Sequence, residues 1–440
     1  MSAAPPGADG VDSRLIRAIG IWGLAASIVN VTVGGGIFRL PAGVAGSLGA
    51  AAPLAYLVCT VAMGLIVLCF ADAGSRVSMT GGPYAYVEAA FGPFVGFLCG
   101  ALLWVGMTFA LSAVSSFLSD SLVALAPGIG QTGKRVALLI TLATLAIANA
   151  RGVRGVTRLN IVFTIAKLLP LLLLILVGAF AMRGENLRVV APPTGAAVAR
   201  ASLLLLFAFL GVESALVPSG EVKEPARTVP IAIFLAMGAV ALLYVAVQVV
   251  AQGLLGSRLA GDPTPLASAA AVAMGPGGRT LILVGSVVSM FGYVSGMTLA
   301  VPRMLFAFGR DGFLPARLAA VHPAWRTPHV AIAVQTIIVA VFGLFGIFES
   351  LAVAANVTML IVYAACCFAA VRLRRLGVHG GGIPFRVPGT RVAPWLALGV
   401  IGWLLWELQP KEWLAAAVIV GVAAVVFAAT LPARRARVAA

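Results

Sequence analysis

Twelve apolar runs alternate with short polar connections along the 440 residues of the chain. They fall near 18–48, 52–75, 90–124, 135–150, 159–182, 200–219, 230–255, 280–307, 329–348, 350–371, 393–408 and 412–431. Most are close to the roughly 20 apolar residues a helix needs to cross a bilayer. The third exceeds the bilayer thickness and is expected to tilt or to project partly beyond it. The pattern predicts an all-α integral membrane protein with 12 transmembrane helices.

Two of the runs are interrupted in a similar way. The first reads IVNVTVGGGIFRLPAGVAG, with Gly34, Gly35 and Gly36 at its middle and Pro41 soon after. The sixth reads LLLLFAFLGVESALVPSGEV, with Gly211 mid-run and Pro218 near its end. Each glycine costs a helix about 1 kcal/mol relative to alanine. Inside lipid, backbone groups freed by such a break persist only where they line a cavity enclosed by protein. Close helix packing is the other use of glycine in membranes. Breaks five runs apart are the pattern of a transporter built from two inverted five-helix repeats. The expected organisation is a tail at 1–17, a first repeat over 18–182 and a second over 200–375. Peripheral helices 11 and 12 follow over 393–432, with a final tail at 433–440.

Composition narrows the picture further. The chain is 61% hydrophobic and only 10% charged, with a mean hydropathy of +1.07. A water-soluble domain averages roughly 45–50% apolar and about 25% charged residues, so a large soluble enzyme domain is excluded. The net charge of +16 sits in short patches between the runs, not on one soluble face, and implies no nucleic-acid partner. With the N-terminus in the cytoplasm, 20 of the 30 Lys and Arg fall on the cytoplasmic side and 8 on the other. Arg39 and Lys167 lie within runs. This asymmetry predicts an even number of spans with both termini cytoplasmic.

The five cysteines lie within apolar runs without CxxC spacing, and His322, His329 and His379 lack ligand spacing, so no metal or cofactor is expected. Asp72 and Arg76 form an i, i+4 pair at the end of the second run. Glu221, Lys223, Glu224 and Arg227 form a charge cluster after the sixth. Both are candidates for cytoplasmic ion pairs that hold one transport state.

Four stretches resemble the amino acid–polyamine–organocation superfamily of secondary transporters. They are Gly34–Phe38 (GGGIF), Gly81–Tyr86 (GGPYAY), Phe209–Pro230 (FLGVESALVPSGEVKEPARTVP) and Arg310–Pro315 (RDGFLP). The likeness is to its prokaryotic amino acid permeases, near the arginine/agmatine antiporters and the L-type amino acid transporters. It implies the LeuT-type fold, a 5+5 inverted repeat with the first and sixth helices broken. Those relatives usually carry Gly-Ser-Gly where this chain has Gly34-Gly35-Gly36, so only backbone donors remain at that point.

On this reading the substrate is an amino acid, and the protein is a transporter, not an enzyme. The Gly35, Gly36 and Ile37 amides are expected to meet a carboxylate, aided by the half-helix dipole. Carbonyls near Ala208 and Phe209, beside Gly211, are expected to meet an α-ammonium group. Thr32, Phe207 and Met297, with residues of the third and tenth runs, would sense the side chain.

Lys167, deep in the fifth run, is expensive there by roughly 2.5–3.5 kcal/mol and is a functional candidate by default. The resemblance implies that its ammonium stands where sodium-coupled members hold a sodium ion. It is a candidate either to exchange a proton or to tether the fifth span to the first. Glu213, matched by a glutamate in the arginine/agmatine antiporters, is the second coupling candidate. Alternatively, its carboxylate hydrogen-bonds the broken backbone. Arg39 would snorkel outward or guard the outer entrance.

The expected transport is sodium-independent alternating access, by proton coupling or amino acid exchange, in the bacterial cytoplasmic membrane. A homodimer is compatible with the sequence. A polyamine or other organic-cation permease is the rival reading and would need acidic residues around the cavity, where Glu213 is the one candidate. A channel would show repeated filter motifs, and none is visible.

Overall fold

The computed structural model describes residues 19–77, 82–125, 128, 130–151, 156–216, 222–378 and 389–439, with side chains excluded over 156–162 and 432–439. The two tails at 1–17 and 433–440, Gly81, residues 217–221 with Pro218 and Glu221, and His379 therefore lie wholly or in their side chains outside the described residues.

The described chain is helical. The first run forms α1 (Ile21–Thr32) and α2 (Gly36–Leu48), separated by the non-helical residues 33–35. Then follow α3 (Ala52–Arg76), α4 (Pro83–Phe91), α5 (Pro93–Leu125), α6 (Gly130–Arg151) and α7 (Val156–Ala181). The sixth run is α8 (Gly195–Leu205), a 3-10 turn (Leu206–Phe209) and the short α9 (Val212–Ala215). The chain continues through α10 (Pro225–Leu255), α11 (Pro265–Arg310), α12 (His329–Phe345) and α13 (Phe348–Arg375), and ends in α14 (Ala393–Trp406) and α15 (Pro410–Ala439). Nine helical stretches among the described residues are long and apolar enough to cross a membrane. Shorter apolar helices are α1, α12 and α14. The protein is a multi-pass membrane protein.

The third and eighth runs differ from the hydropathy pattern. Residues 90–91 belong to α4, because Gly92 at φ +86° ends that helix before α5 begins. Even so, α5 has 33 residues and a length of about 50 Å, beyond the roughly 30 Å hydrocarbon layer. Ahead of the eighth run lies a further helical segment, Pro265–Met274, which is alanine-rich and only weakly hydrophobic. Non-helical backbone at Gly275, φ +69°, ends this segment, so α11 is two helical segments that meet at the Gly275-Pro276 kink.

The other ends are tied by polar contacts. Asp72, with its side chain only 3% exposed, accepts from Arg76 Nε at 3.1 Å and from Arg374 Nη2 at 2.6 Å, joining α3 to the C-terminal end of α13. Glu349, at the N-terminal end of α13, pairs with Arg39 Nη2 of α2 at 3.2 Å. Arg39 Nη1 also donates to the Pro263 carbonyl at 3.1 Å. Arg200 of α8 makes a two-pronged ion pair with Glu412, both bonds 2.9 Å, attaching α15 to the sixth run. Among the described residues no ion pair joins Lys223, Glu224 and Arg227. The chain there is held instead by a parallel bridge, in which Lys223 N donates to Ile19 O at 2.9 Å. The RDGFLP stretch anchors by its aromatic residue. Phe313 stacks on Phe97 of α5 at 4.1 Å and on Phe427 of α15 at 5.8 Å.

At the centre the two broken runs touch backbone to backbone. A Cβ on Gly36 would lie 2.9 Å from Ala208 Cα, and a Cβ on Gly211 would lie 2.7 Å from Val31 O. Gly211 also sits at φ +129°, which L side chains rarely adopt. Gly211→Ala and Gly36→Ala are each expected to lower stability by at least about 1–3 kcal/mol. Gly46→Ala, at an exposed α2 position with nothing within 4 Å, is expected to be neutral or stabilising by up to about 1 kcal/mol. Thermal unfolding of the three detergent-purified variants checks this, and equal effects would refute the close-contact reading.

Candidate functional site

The site begins with an accounting of backbone groups. When α1 stops at Thr32, its last carbonyls lose their intrahelical partners. Side chains from three other helices supply replacements. Lys167 Nζ of α7 donates to Asn30 O at 2.8 Å and to Val33 O at 2.9 Å. Ser289 Oγ of α11 donates to Val33 O at 3.0 Å. The Tyr244 hydroxyl of α10 lies 3.0 Å from Thr32 O and 2.9 Å from Ala208 O. It has one proton to share between them, so it links one carbonyl of each broken run. Lys167 is wholly buried. Its cation rests at the C-terminal end of α1, where the helix dipole favours positive charge. The tether between the fifth and first runs is thus present as geometry.

Past the break, the chain re-enters a helix at Gly36. The amides of Gly35, Gly36 and Ile37 have no side-chain cap and no backbone acceptor among the described residues. They face the second break. There Leu206–Phe209 forms a 3-10 turn, Leu210 is extended, and Gly211 turns the chain into α9. Glu213 holds this turn together. Its Oε1 accepts from the Gly211 amide and its Oε2 from the Tyr363 hydroxyl, both at 2.9 Å. Its carboxylate is occupied by the protein, in the backbone-bonding geometry.

Between the two breaks lies a narrow cavity lined by Thr32, Gly34, Gly35, Gly36, Val114, Phe207, Leu210 and Tyr293. Five of the residues expected from the sequence line it, namely Thr32, Gly34, Gly35, Gly36 and Phe207. Phe207 also packs edge-on against Phe348 at the start of α13, with ring centroids 5.4 Å apart. The other five are placed around the cavity without lining it. Ile37 and Met297 are buried in the core. Phe209 packs on the Tyr244 ring at 5.2 Å. Ala208 lies against Gly36, and Gly211 against Val31. The Ala208 carbonyl, expected to meet an ammonium group, is engaged by Tyr244. Val114, Leu210 and Tyr293 are lining residues that sequence reasoning did not name. Tyr293 stands one helical turn before Met297, on the same face of α11. Among the described residues no group of three His, Cys, Asp or Glu side chains is placed to hold a metal ion.

Arg39 is neither a free snorkel nor an isolated guard. It joins α2 to α13 and to the connection before α11.

The amino acid permease family profile matches residues 19–439, which includes both breaks and every lining residue of the cavity. The chain belongs to the amino acid permease family. It is a membrane transporter of the amino acid–polyamine–organocation superfamily, and not an enzyme. Similar proteins differ in what their names say they carry. A methylthioribose transporter of Bacillus subtilis is 28% identical over 94% of this permease and 93% of its own length. A branched-chain amino acid permease of the same organism is 28% identical over 88% and 87%. An arginine/agmatine antiporter of Chlamydia caviae is 27% identical over 76% and 72%.

The capping role of Lys167 can be measured. Lys167→Ala removes the charge-assisted bonds to Asn30 O and Val33 O, a cost of about 1–3 kcal/mol. Val33 O retains Ser289. Both a lower unfolding temperature and a severe loss of uptake are expected. Lys167→Arg is expected to be impaired as well, because a planar guanidinium does not reproduce the ammonium geometry. A fully active alanine variant would remove this lysine from the mechanism.

Proposed function

We propose that this permease carries α-amino acids across the cytoplasmic membrane by alternating access to the cavity between its two breaks. One observation supports the reading above the others. The uncapped amides at the start of α2 and the carbonyl-bearing turn at Phe207–Leu210 face one unfilled space. Amides at a helix N-terminus attract a carboxylate, and carbonyls attract an ammonium group. The zwitterion of an α-amino acid carries both groups. Since Ala208 O is engaged, the Phe207 carbonyl, which takes only a 3.3 Å bond from Leu210 N, is the better ammonium acceptor.

The fold we propose is the LeuT type with 12 spans. Its first repeat covers 18–182 and its second 200–375, and α14 and α15 are peripheral. Both termini are cytoplasmic. Asp72, Arg76 and Arg374 then form the cytoplasmic tie and Arg39–Glu349 the outer one, at opposite ends of α13. Opening either side of the cavity requires one tie to yield while the other holds. Lys167 fills by its ammonium the place that a sodium ion takes in sodium-coupled members of the fold, which makes transport sodium-independent. The driving force is exchange of one amino acid for another or proton coupling. With both Glu213 oxygens bonded to the protein, exchange is the simpler of the two.

Uptake into proteoliposomes tests the proposal. Amino acids are expected to compete, and their decarboxylated amines to compete at least roughly tenfold more weakly, a difference of about 1.4 kcal/mol. Replacing sodium by potassium or choline at constant pH is expected to leave the initial rate unchanged. Equal competition by the amines would favour an organic-cation permease. Competition by methylthioribose, which has no carboxylate, would move the reading away from amino acids. A strict sodium requirement would overturn the role given to Lys167.

A further inference from the structure

The two breaks are capped from matching places in the chain. The carbonyls at the end of α1 are met by Lys167 of α7, the fifth run. Those at the end of α8 are met by Asn356 of α13, the tenth run. Asn356 Nδ2 donates to Leu203 O at 2.6 Å and to Leu204 O at 3.3 Å. From α3, the Cys59 thiol adds a bond to Ser202 O at 3.3 Å. Asn356 is buried, and its amide can face only one way, because both partners are carbonyls and only the NH2 end donates. Its Oδ1 atom has no hydrogen-bond partner among the described residues. The side chain therefore acts at this place as a donor alone.

The same helix meets the second break at two further levels. Phe348 packs edge-on against Phe207, and the Tyr363 hydroxyl donates to Glu213 Oε2 beyond Gly211. Phe348, Asn356 and Tyr363 follow one another at about two helical turns. One side of α13 thus reaches from the half-helix before the break to the one after it. The ends of α13 carry the Glu349–Arg39 and Arg374–Asp72 ion pairs. A helix tied at both ends carries a displacement of either end to the turn it holds. An uncharged donor also suits this position. A second fixed cation beside carbonyls that receive a substrate ammonium would repel it.

Resting on the alternating-access reading above, we infer that Asn356 is a positioning residue for transport, the uncharged counterpart of Lys167. Through its amide, α13 sets the Leu206–Phe209 turn that offers the Phe207 carbonyl to the substrate. Substrate affinity, more than folding, depends on it. Asn356→Leu keeps the volume and removes the donor together with the unpaired acceptor, and Leu204 O keeps its bond from Leu206 N, so this variant is expected to fold.

Two measurements on the full-length protein test the inference. The first is amide hydrogen exchange without substrate. Asn356→Leu is expected to speed exchange over residues 206–211 by roughly tenfold while sparing 31–36, and Lys167→Met to do the reverse. Equal loosening of both segments by both variants would overturn the paired-cap assignment. The second is amino acid uptake in proteoliposomes. Asn356→Leu is expected to raise KM by roughly tenfold with a much smaller change in maximal rate. Asn356→Asp can donate only when its carboxyl is protonated, so its KM relative to wild type is expected to improve on acidification. A wild-type KM in the folded leucine variant, or an aspartate variant that stays at the leucine level at every pH, would overturn the positioning role. The expected exchange pattern in a protein that takes up no α-amino acid would sink the substrate reading and support the cap.

Discussion

A helix that stops halfway across a membrane leaves carbonyl groups with no water to turn to. Everything at the centre of this protein is arranged around that constraint. The end of α1 is answered by an ammonium from α7, a hydroxyl from α11 and a phenol from α10. Each donor comes from a different part of the chain, so the break can exist only when those helices are assembled. Conversely, the charge on Lys167 is tolerable in lipid because the carbonyls at a helix C-terminus offer it bonds and a negative partial charge together. The break and the buried cation make each other affordable.

The second break is stabilised by a carboxylate rather than a cation, and for the complementary reason. Glu213 accepts the Gly211 amide that the turn would otherwise strand, and Tyr363 from α13 completes its shell. The two breaks then meet through glycines that allow backbone to approach backbone, with Tyr244 spanning one carbonyl of each. The cavity is what remains between two unwound segments in which Val33 O, Ala208 O and the Gly211 amide are already bonded. Its uncapped amides therefore stand out as available donors and not as one loose end among many.

Much of this was legible in the chain. The apolar runs follow directly from the length a bilayer demands, and both breaks are written in glycine, the residue that weakens a helix most without proline. Lys167 and Arg39, cations deep inside runs, also declare themselves by their cost. Their partners do not. Lys167 bonds backbone carbonyls, which no residue type advertises, and Arg39 meets a glutamate 310 positions away. Arg374 reaches Asp72 across 302 positions, whereas the local pair with Arg76 could be read from helical spacing alone. Val114 and Tyr293 were missed for a related reason. A valine or tyrosine in a transmembrane helix looks the same whether it faces lipid, a neighbour or a ligand. Hydropathy also passed over the alanine-rich segment Pro265–Met274 ahead of Gly275-Pro276, which reads as a connection.

The triple glycine has one more consequence. Where the polar grip on a ligand is made by peptide groups, substitutions elsewhere in the pocket leave it untouched. In the function proposed above, the ligand's common part is held by the path of the chain, and its variable part by a handful of apolar side chains. Such a division lets a lineage change its cargo through one or two mutations in the apolar wall without rebuilding the anchor. A backbone grip is in that sense a permanent handle, and the rest of the pocket is free to drift around it.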